Sequence, residues 1–279
     1  MNIPSFHYDG SGALLHFLHA NGYPPECYLP LFEQLKSSFS IFGMLLRPLW
    51  PNARMDELKD WRPLTSDLLK FLIATEKQPV IGVGHSIGGI VTLRAALQEP
   101  EKFRALILIE PVLFPPYYII LWNIARKLRL GYQIHPYIQR TMRRRREFDD
   151  LKHVFQGYRR KKVFRYLSDE ALRAYIEGIT KPSKNGYSLV YSPEWEAHIY
   201  YTGIWIDLAL WRSLKNLRVP AMIIRGNESG TFWRSSYERV RKIHPGIRLV
   251  TVESSSHLVP LERPRKVFDL IQSFVREIE

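Results

Sequence analysis

The stretch Val80-Ile81-Gly82-Val83-Gly84-His85-Ser86-Ile87-Gly88-Gly89 constrains this chain more than any other. Val80, Ile81 and Val83 form a short apolar run of the kind buried in a parallel sheet. The run stops at Gly84-x-Ser86-x-Gly88, and Ile90 to Leu97 then continues with helix-compatible residues toward Pro100. A strand-to-helix turn this tight leaves no room for side chains two residues either side of its centre, hence glycine at both places. The turn pushes the Ser86 hydroxyl out above the sheet edge and aims a helix amino terminus at it. Backbone N–H groups beyond Ser86, beginning with Ile87, then face any anion formed there. The motif alone is common by chance. Its position between a buried strand and a helix makes it specific.

The rest of the chain supplies strands and helices in alternation. Ser5 to Tyr8 and Ala13 to Leu18 read as strands joined by a turn at Asp9-Gly10-Ser11-Gly12. Further strands are expected at Phe39 to Leu46, Arg104 to Ile109, Pro220 to Gly226 and Ile247 to Val252. Helices are expected at Tyr28 to Leu35, Asp56 to Thr75, Trp205 to Leu217, Trp233 to His244 and Arg263 to Glu279. This pattern predicts an α/β fold: a mostly parallel central sheet with helices on both faces. From Val112 to about Tyr201 the alternation breaks, and the residues read as helical pieces rich in aromatic and basic side chains, with no clear strand.

A serine hydroxyl is a weak nucleophile near neutral pH and needs a base, which in turn needs an orienting acid. His257 is the candidate base, because it follows the last strand in a small polar loop, Ser254-Ser255-Ser256-His257. That is the same sheet edge that carries Ser86.

With these residues in view, the chain resembles an α/β-hydrolase fold enzyme. The matching pieces are His19-Ala20-Asn21-Gly22, Gly84-His85-Ser86-Ile87-Gly88, and Ser256-His257-Leu258-Val259-Pro260-Leu261-Glu262-Arg263-Pro264. The resemblance spans 1–111 and 202–279 as the core, with 112–201 as an inserted helical cap. It implies Ser86 as nucleophile, His257 as general base, and an oxyanion hole from the backbone N–H groups of Asn21 and Ile87. Serine at position 86 argues against the Asp-nucleophile dehalogenases and epoxide hydrolases of this fold.

The sequence departs from the family pattern at the acid. Relatives commonly carry Asp after the Met222–Arg225 strand, where this chain has Gly226-Asn227-Glu228-Ser229-Gly230. Glu110, at the end of an apolar strand, and Glu228, in the loop itself, are the two candidates. Glu110 is preferred, because a carboxylate ending a buried strand needs a partner and His257 would be one.

The resemblance predicts a carboxylic ester hydrolase that needs no cofactor or metal, with an apolar acyl or aryl group under an aromatic cap. Thioester and carbon–carbon bond hydrolysis remain open, as does a non-catalytic receptor or scaffold on the same fold. The chain carries 40 Lys+Arg against 27 Asp+Glu, a net charge of +13. Much of this lies in the cap, at 126–129, 143–146 and 159–162. A solvated lid, or weak contact with an anionic membrane surface through Arg143–Arg146, is expected; nucleic acid is not, since no binding module accompanies the charge. The single Cys27 and the lack of a secretory pattern at the amino terminus predict a cytoplasmic protein.

Overall fold

The computed structural model describes residues 3–76 and 78–279. Met1 and Asn2, the start of the segment read as lacking a leader, lie outside the described residues. Seven strands form the central sheet: β1 (Ser5–Tyr8), β2 (Ala13–Leu18), β3 (Phe39–Met44), β4 (Val80–His85), β5 (Phe103–Ile109), β9 (Ala221–Gly226) and β10 (Arg248–Val252). Their order is β1-β3-β2-β4-β5-β9-β10. Only β1 runs antiparallel to its neighbour.

The apolar runs follow from burial on both faces. In β5, Leu106 and Leu108 join one core cluster while Ala105, Ile107 and Ile109 join the other. The first cluster includes Leu64 and Leu68 of α2 (Arg62–Thr75) and Leu93 of α3 (Ile87–Gln98). The second includes Leu31 and Phe32 of α1 (Leu29–Leu35) and Ile271 of the helix Pro264–Ile278. Successive side chains point to opposite faces, so one apolar strand supplies both cores.

The Asp9–Gly12 turn does not make a hairpin of β1 and β2. β1 pairs with β3 instead. A Cβ at Gly10 would meet the Phe39 carbonyl oxygen at 2.0 Å, and one at Gly12, with φ of 105°, the Ser38 oxygen at 2.3 Å. The glycines let the connection pass against the entry to β3.

After β5 the chain builds the cap. It contains α4 (Pro116–Lys127) and the helices Pro136–Met142, Leu151–Arg159, Asp169–Ile179 and Pro193–Thr202. The expectation of a purely helical insertion needs correction. Three strands, β6 (Glu147–Phe148), β7 (Thr180–Ser183) and β8 (Gly186–Leu189), form an antiparallel sheet in the order β6-β8-β7. They are two to four residues long, too short for period-two alternation to register. The signal present was Asn185-Gly186 at the β7–β8 turn; Gly186 has φ of 121°. Helix Asp169–Ile179 packs on Pro25–Tyr28, and a Cβ at Gly178 would meet the Cys27 nitrogen at 2.7 Å. Ala171, Leu172, Tyr175, Ile176 and Ile179 thereby enter the second core cluster.

Candidate active site

β4 ends at His85 and α3 starts at Ile87, leaving Ser86 as the whole turn. Its φ is 57°, a left-handed conformation that a non-glycine residue adopts only under constraint from its surroundings. The neighbouring glycines supply that constraint. A Cβ at Gly84 would lie 2.4 Å from the Gly88 oxygen, and one at Gly88 would lie 2.1 Å from the Leu18 oxygen. The elbow therefore packs backbone on backbone, both within itself and against the end of β2.

His257 reaches Ser86 from the loop after β10. Its Nε2 accepts from Ser86 Oγ at 3.0 Å, and its Nδ1–H donates to Glu110 Oε2 at 3.2 Å. Glu110 directly follows β5, also with positive φ, at 48°. Its side chain is fully buried. Such a carboxylate requires partners. Gly226 N–H donates to Oε1 at 2.6 Å, and the Ser229 hydroxyl donates to Oε2. Ser229 in turn accepts from the backbone N–H groups of Thr231 and Phe232. It lies in the loop where Asp was expected, and it braces the carboxylate that arrives from β5.

Glu228 lies apart. It is bound by Arg165 and by the Tyr166 hydroxyl, and its side chain is exposed. Those partners hold its carboxyl below the usual range, the Tyr166 hydroxyl first among them.

Asn21 and Ile87 line the same cavity as Ser86 and His257. The first-turn N–H groups of α3, Ile87 among them, have no carbonyl partner within the helix. Asn21 is oriented by its side chain, whose Nδ2 donates to the Glu196 carbonyl at 3.0 Å. His19 sets the loop before it. Nε2 accepts from Leu46 N–H at 3.0 Å, so Nδ1–H donates to the Ala20 carbonyl at 2.9 Å. Burial holds His19 neutral, its pKa lowered to about 4.

Several residues in this region escaped sequence reasoning. His85 Nε2 lies 2.9 Å from the His257 carbonyl, which can only accept, so Nε2 carries the proton. Nδ1 then accepts from the Tyr28 hydroxyl at 2.7 Å, and that hydroxyl accepts from Ala20 N–H at 3.1 Å. One neutral chain thus ties the Asn21 loop, the elbow and the His257 loop together. Burial, followed by the nearby His257, pushes His85 well below the ordinary histidine pKa. Glu262 pins the same loop from below, accepting from Ser256 N–H and from the Ser256 hydroxyl at 2.7 Å. His85 was visible as a neighbour of Ser86. Tyr28 carried no local signal, because its role exists only through contacts far along the chain.

A cavity of about 1140 Å³ opens on Ser86 and His257. Tyr118, Tyr158, Tyr175 and Tyr200 line its cap side, with Arg144 and Lys161. Arg144 pairs with buried Glu196. The Lys161 ammonium sits 3.7 Å from the centre of the Tyr158 ring. Burial, and then Arg144, lower its pKa.

A parallel sheet whose carboxyl edge brings a strained serine, a histidine and a buried glutamate into one hydrogen-bonded row has the architecture of a hydrolase. The comparison with known families agrees: the model of the alpha/beta hydrolase family matches residues 17–270, and the chain belongs to that family. The uncharacterized hydrolase YugF of Bacillus subtilis (strain 168) is 23% identical, over 99% of this chain and 95% of its own length. Carboxylesterase YbfK of the same organism is 21% identical, over 81% of this chain and 66% of its own. Among solved structures, an E-2-(acetamidomethylene)succinate hydrolase superposes with a TM-score of 0.76 at 19% identity, covering 99% of this chain and 100% of that one.

Proposed function

We propose that this protein is a serine hydrolase that cleaves carboxylic esters with an apolar acyl or aryl group. The observation that carries the reading is the row Ser86 Oγ, His257 Nε2, His257 Nδ1, Glu110 Oε2, with its 3.0 Å and 3.2 Å contacts. Ser86 Oγ attacks the ester carbonyl carbon as its proton passes to His257 Nε2. Charge on the carbonyl oxygen rests on the N–H groups of Asn21 and Ile87. The intermediate collapses, the carbon–oxygen bond to the alcohol breaks, and Nε2–H protonates the departing oxygen. Water, deprotonated by His257, then releases the acid and regenerates Ser86. Glu110 keeps Nδ1 protonated and stabilises the transient imidazolium. The tyrosine-rich wall of the cavity supports an apolar or aryl acyl group.

The test is hydrolysis of a p-nitrophenyl ester series by the wild type and Ser86→Ala, with fluorophosphonate labelling of both. Turnover and labelling that vanish together in Ser86→Ala support the reading. A folded wild type that neither labels nor hydrolyses any ester overturns it and favours a non-catalytic scaffold.

One observation favours a second reading. Lys161 has no carboxylate partner among the described residues, and it shares the cavity with Arg144. An acylated substrate bearing its own carboxylate would relieve that repulsion, and a structural neighbour named for an acetamidomethylene succinate fits the same chemistry. A p-nitrophenyl hemisuccinate hydrolysed faster than the neutral ester of equal length would select it.

A further inference from the structure

We propose that α4 is an interfacial anchor that seats the cap on an anionic lipid surface. A helix on a protein surface ordinarily buries one apolar stripe and solvates the other. α4 does not. Ile119, Trp122 and Ala125 are buried in the molecule. On the opposite side Tyr117, Ile120, Leu121 and Ile124 stand in the open, with Leu121 59% and Ile124 51% exposed. The stripe continues past the helix end through Leu128, 62% exposed, and Leu130. Of the 14 large apolar side chains exposed among the described residues, ten fall between Tyr117 and Met142. Nothing else on the described surface concentrates bare apolar area in this way.

Charge identifies the occupant. Residues 112–146 contain eight Lys or Arg and no Asp or Glu. Lys127 and Arg129 are exposed at the carboxyl end of α4, beside the apolar stripe. The Arg143–Arg146 cluster is a poorer anchor than its composition suggests. Arg144, Arg145 and Arg146 are drawn into pairs with Glu196, Asp149 and Glu194. Charge without a carboxylate partner among the described residues lies on Lys127 and Arg129 at the end of α4, and on exposed Arg140 and Arg143. Apolar side chains flanked by unpaired cations fit the boundary between lipid headgroups and acyl chains, where both kinds of contact add. A second copy of the chain would bring two acid-free basic segments together. Nucleic acid would leave the apolar stripe without a partner.

Among the described residues no helix is long and apolar enough to cross a membrane, so the contact lies in the plane of the interface. Tyr118 of the same helix lines the cavity above Ser86. The element that meets the lipid therefore also forms a wall of the site, and apolar substrate dissolved in the bilayer has a short route to it.

The experiment is flotation of the full chain with phosphatidylcholine vesicles, with and without phosphatidylglycerol, at low and high salt. The wild type should float with the anionic vesicles, and less so as salt rises. Leu121→Ser with Ile124→Ser should weaken binding by about tenfold or more at unchanged melting temperature, since both side chains are exposed. Lys127→Gln with Arg129→Gln should weaken it by about fivefold per charge on anionic vesicles only. Wild type that stays with the unbound fraction, or an apolar double variant that binds as tightly as wild type, overturns the proposal. So does a wild-type dimer in sedimentation that this variant dissolves, which assigns the stripe to a second copy. Binding is read without turnover and can be repeated in Ser86→Ala, so its failure is distinct from failure of the esterase reading.

Discussion

The carboxyl edge of the central sheet and the segment 112–146 are built by opposite rules. At the sheet edge Ser86, His257 and Glu110 each meet specific partners, and backbone passes backbone so closely that only glycine fits. In the cap segment cations outnumber carboxylates completely, and apolar side chains face outward. The first region holds atoms still for chemistry. The second leaves apolar surface bare. Substitutions should therefore damage the two regions in different currencies: turnover at the edge, association at the cap.

The largest expected effect is at Ser86. Ser86→Ala should lower ester turnover by at least about 10,000-fold at unchanged melting temperature. A loss of only a few fold would break the comparison at its centre. Next comes the acid. Glu110→Gln should cost about a thousandfold or more in kcat, while Glu228→Gln costs less than about tenfold, measured on one p-nitrophenyl ester. The reverse ranking would move the acid to the loop and leave the buried carboxylate as a brace.

His85→Phe should follow at about ten- to a hundredfold in kcat with KM little changed, because it cuts the link between elbow and His257 loop. An equal loss in Tm and none in kcat would make His85 structural only.

The edge should also be sensitive to acid. Burial lowers the pKa of His16 to about 3 and of His19 to about 4. Both are neutral in the fold, while the unfolded chain takes up protons on them near pH 6.5. Their contribution is complete above about pH 6.5 and is lost as pH falls toward those folded values, by about 1.4 kcal/mol per pH unit per histidine. Melting temperature should drop between about pH 7 and pH 5, and His19→Gln should make the slope shallower. A flat profile would contradict their burial.

The smallest effect separates the regions most sharply. Leu121→Ser with Ile124→Ser should change hydrolysis of a soluble short-chain ester by less than about twofold, since both side chains are more than half exposed.

Much of the core was legible because its causes are local. The Val80–Gly89 turn and the strand expected over Arg104–Ile109 each satisfy packing rules within a few residues, and the structure has both close to where the pattern put them, whereas the helix expected over Asp56–Thr75 begins only at Arg62. The cap was less legible. Its strands are shorter than the period that reveals them, and the Asp9–Gly12 turn carried a hairpin signal that close approach to Lys36–Phe39 overrides.

By itself, then, the sequence determined that a serine would stand on a strained elbow at the edge of a parallel sheet, because glycine spacing and strand-to-helix periodicity are properties of adjacent residues. It also set out two glutamates for one histidine and favoured Glu110, because that carboxylate ends a buried strand. Only the tertiary structure decided which one touches His257, since that contact spans 147 positions and depends on how β5 and β9 lie side by side. The same holds for α4. Its residues read as one helical piece of an aromatic and basic cap, and which apolar face stays bare is settled by what packs against it.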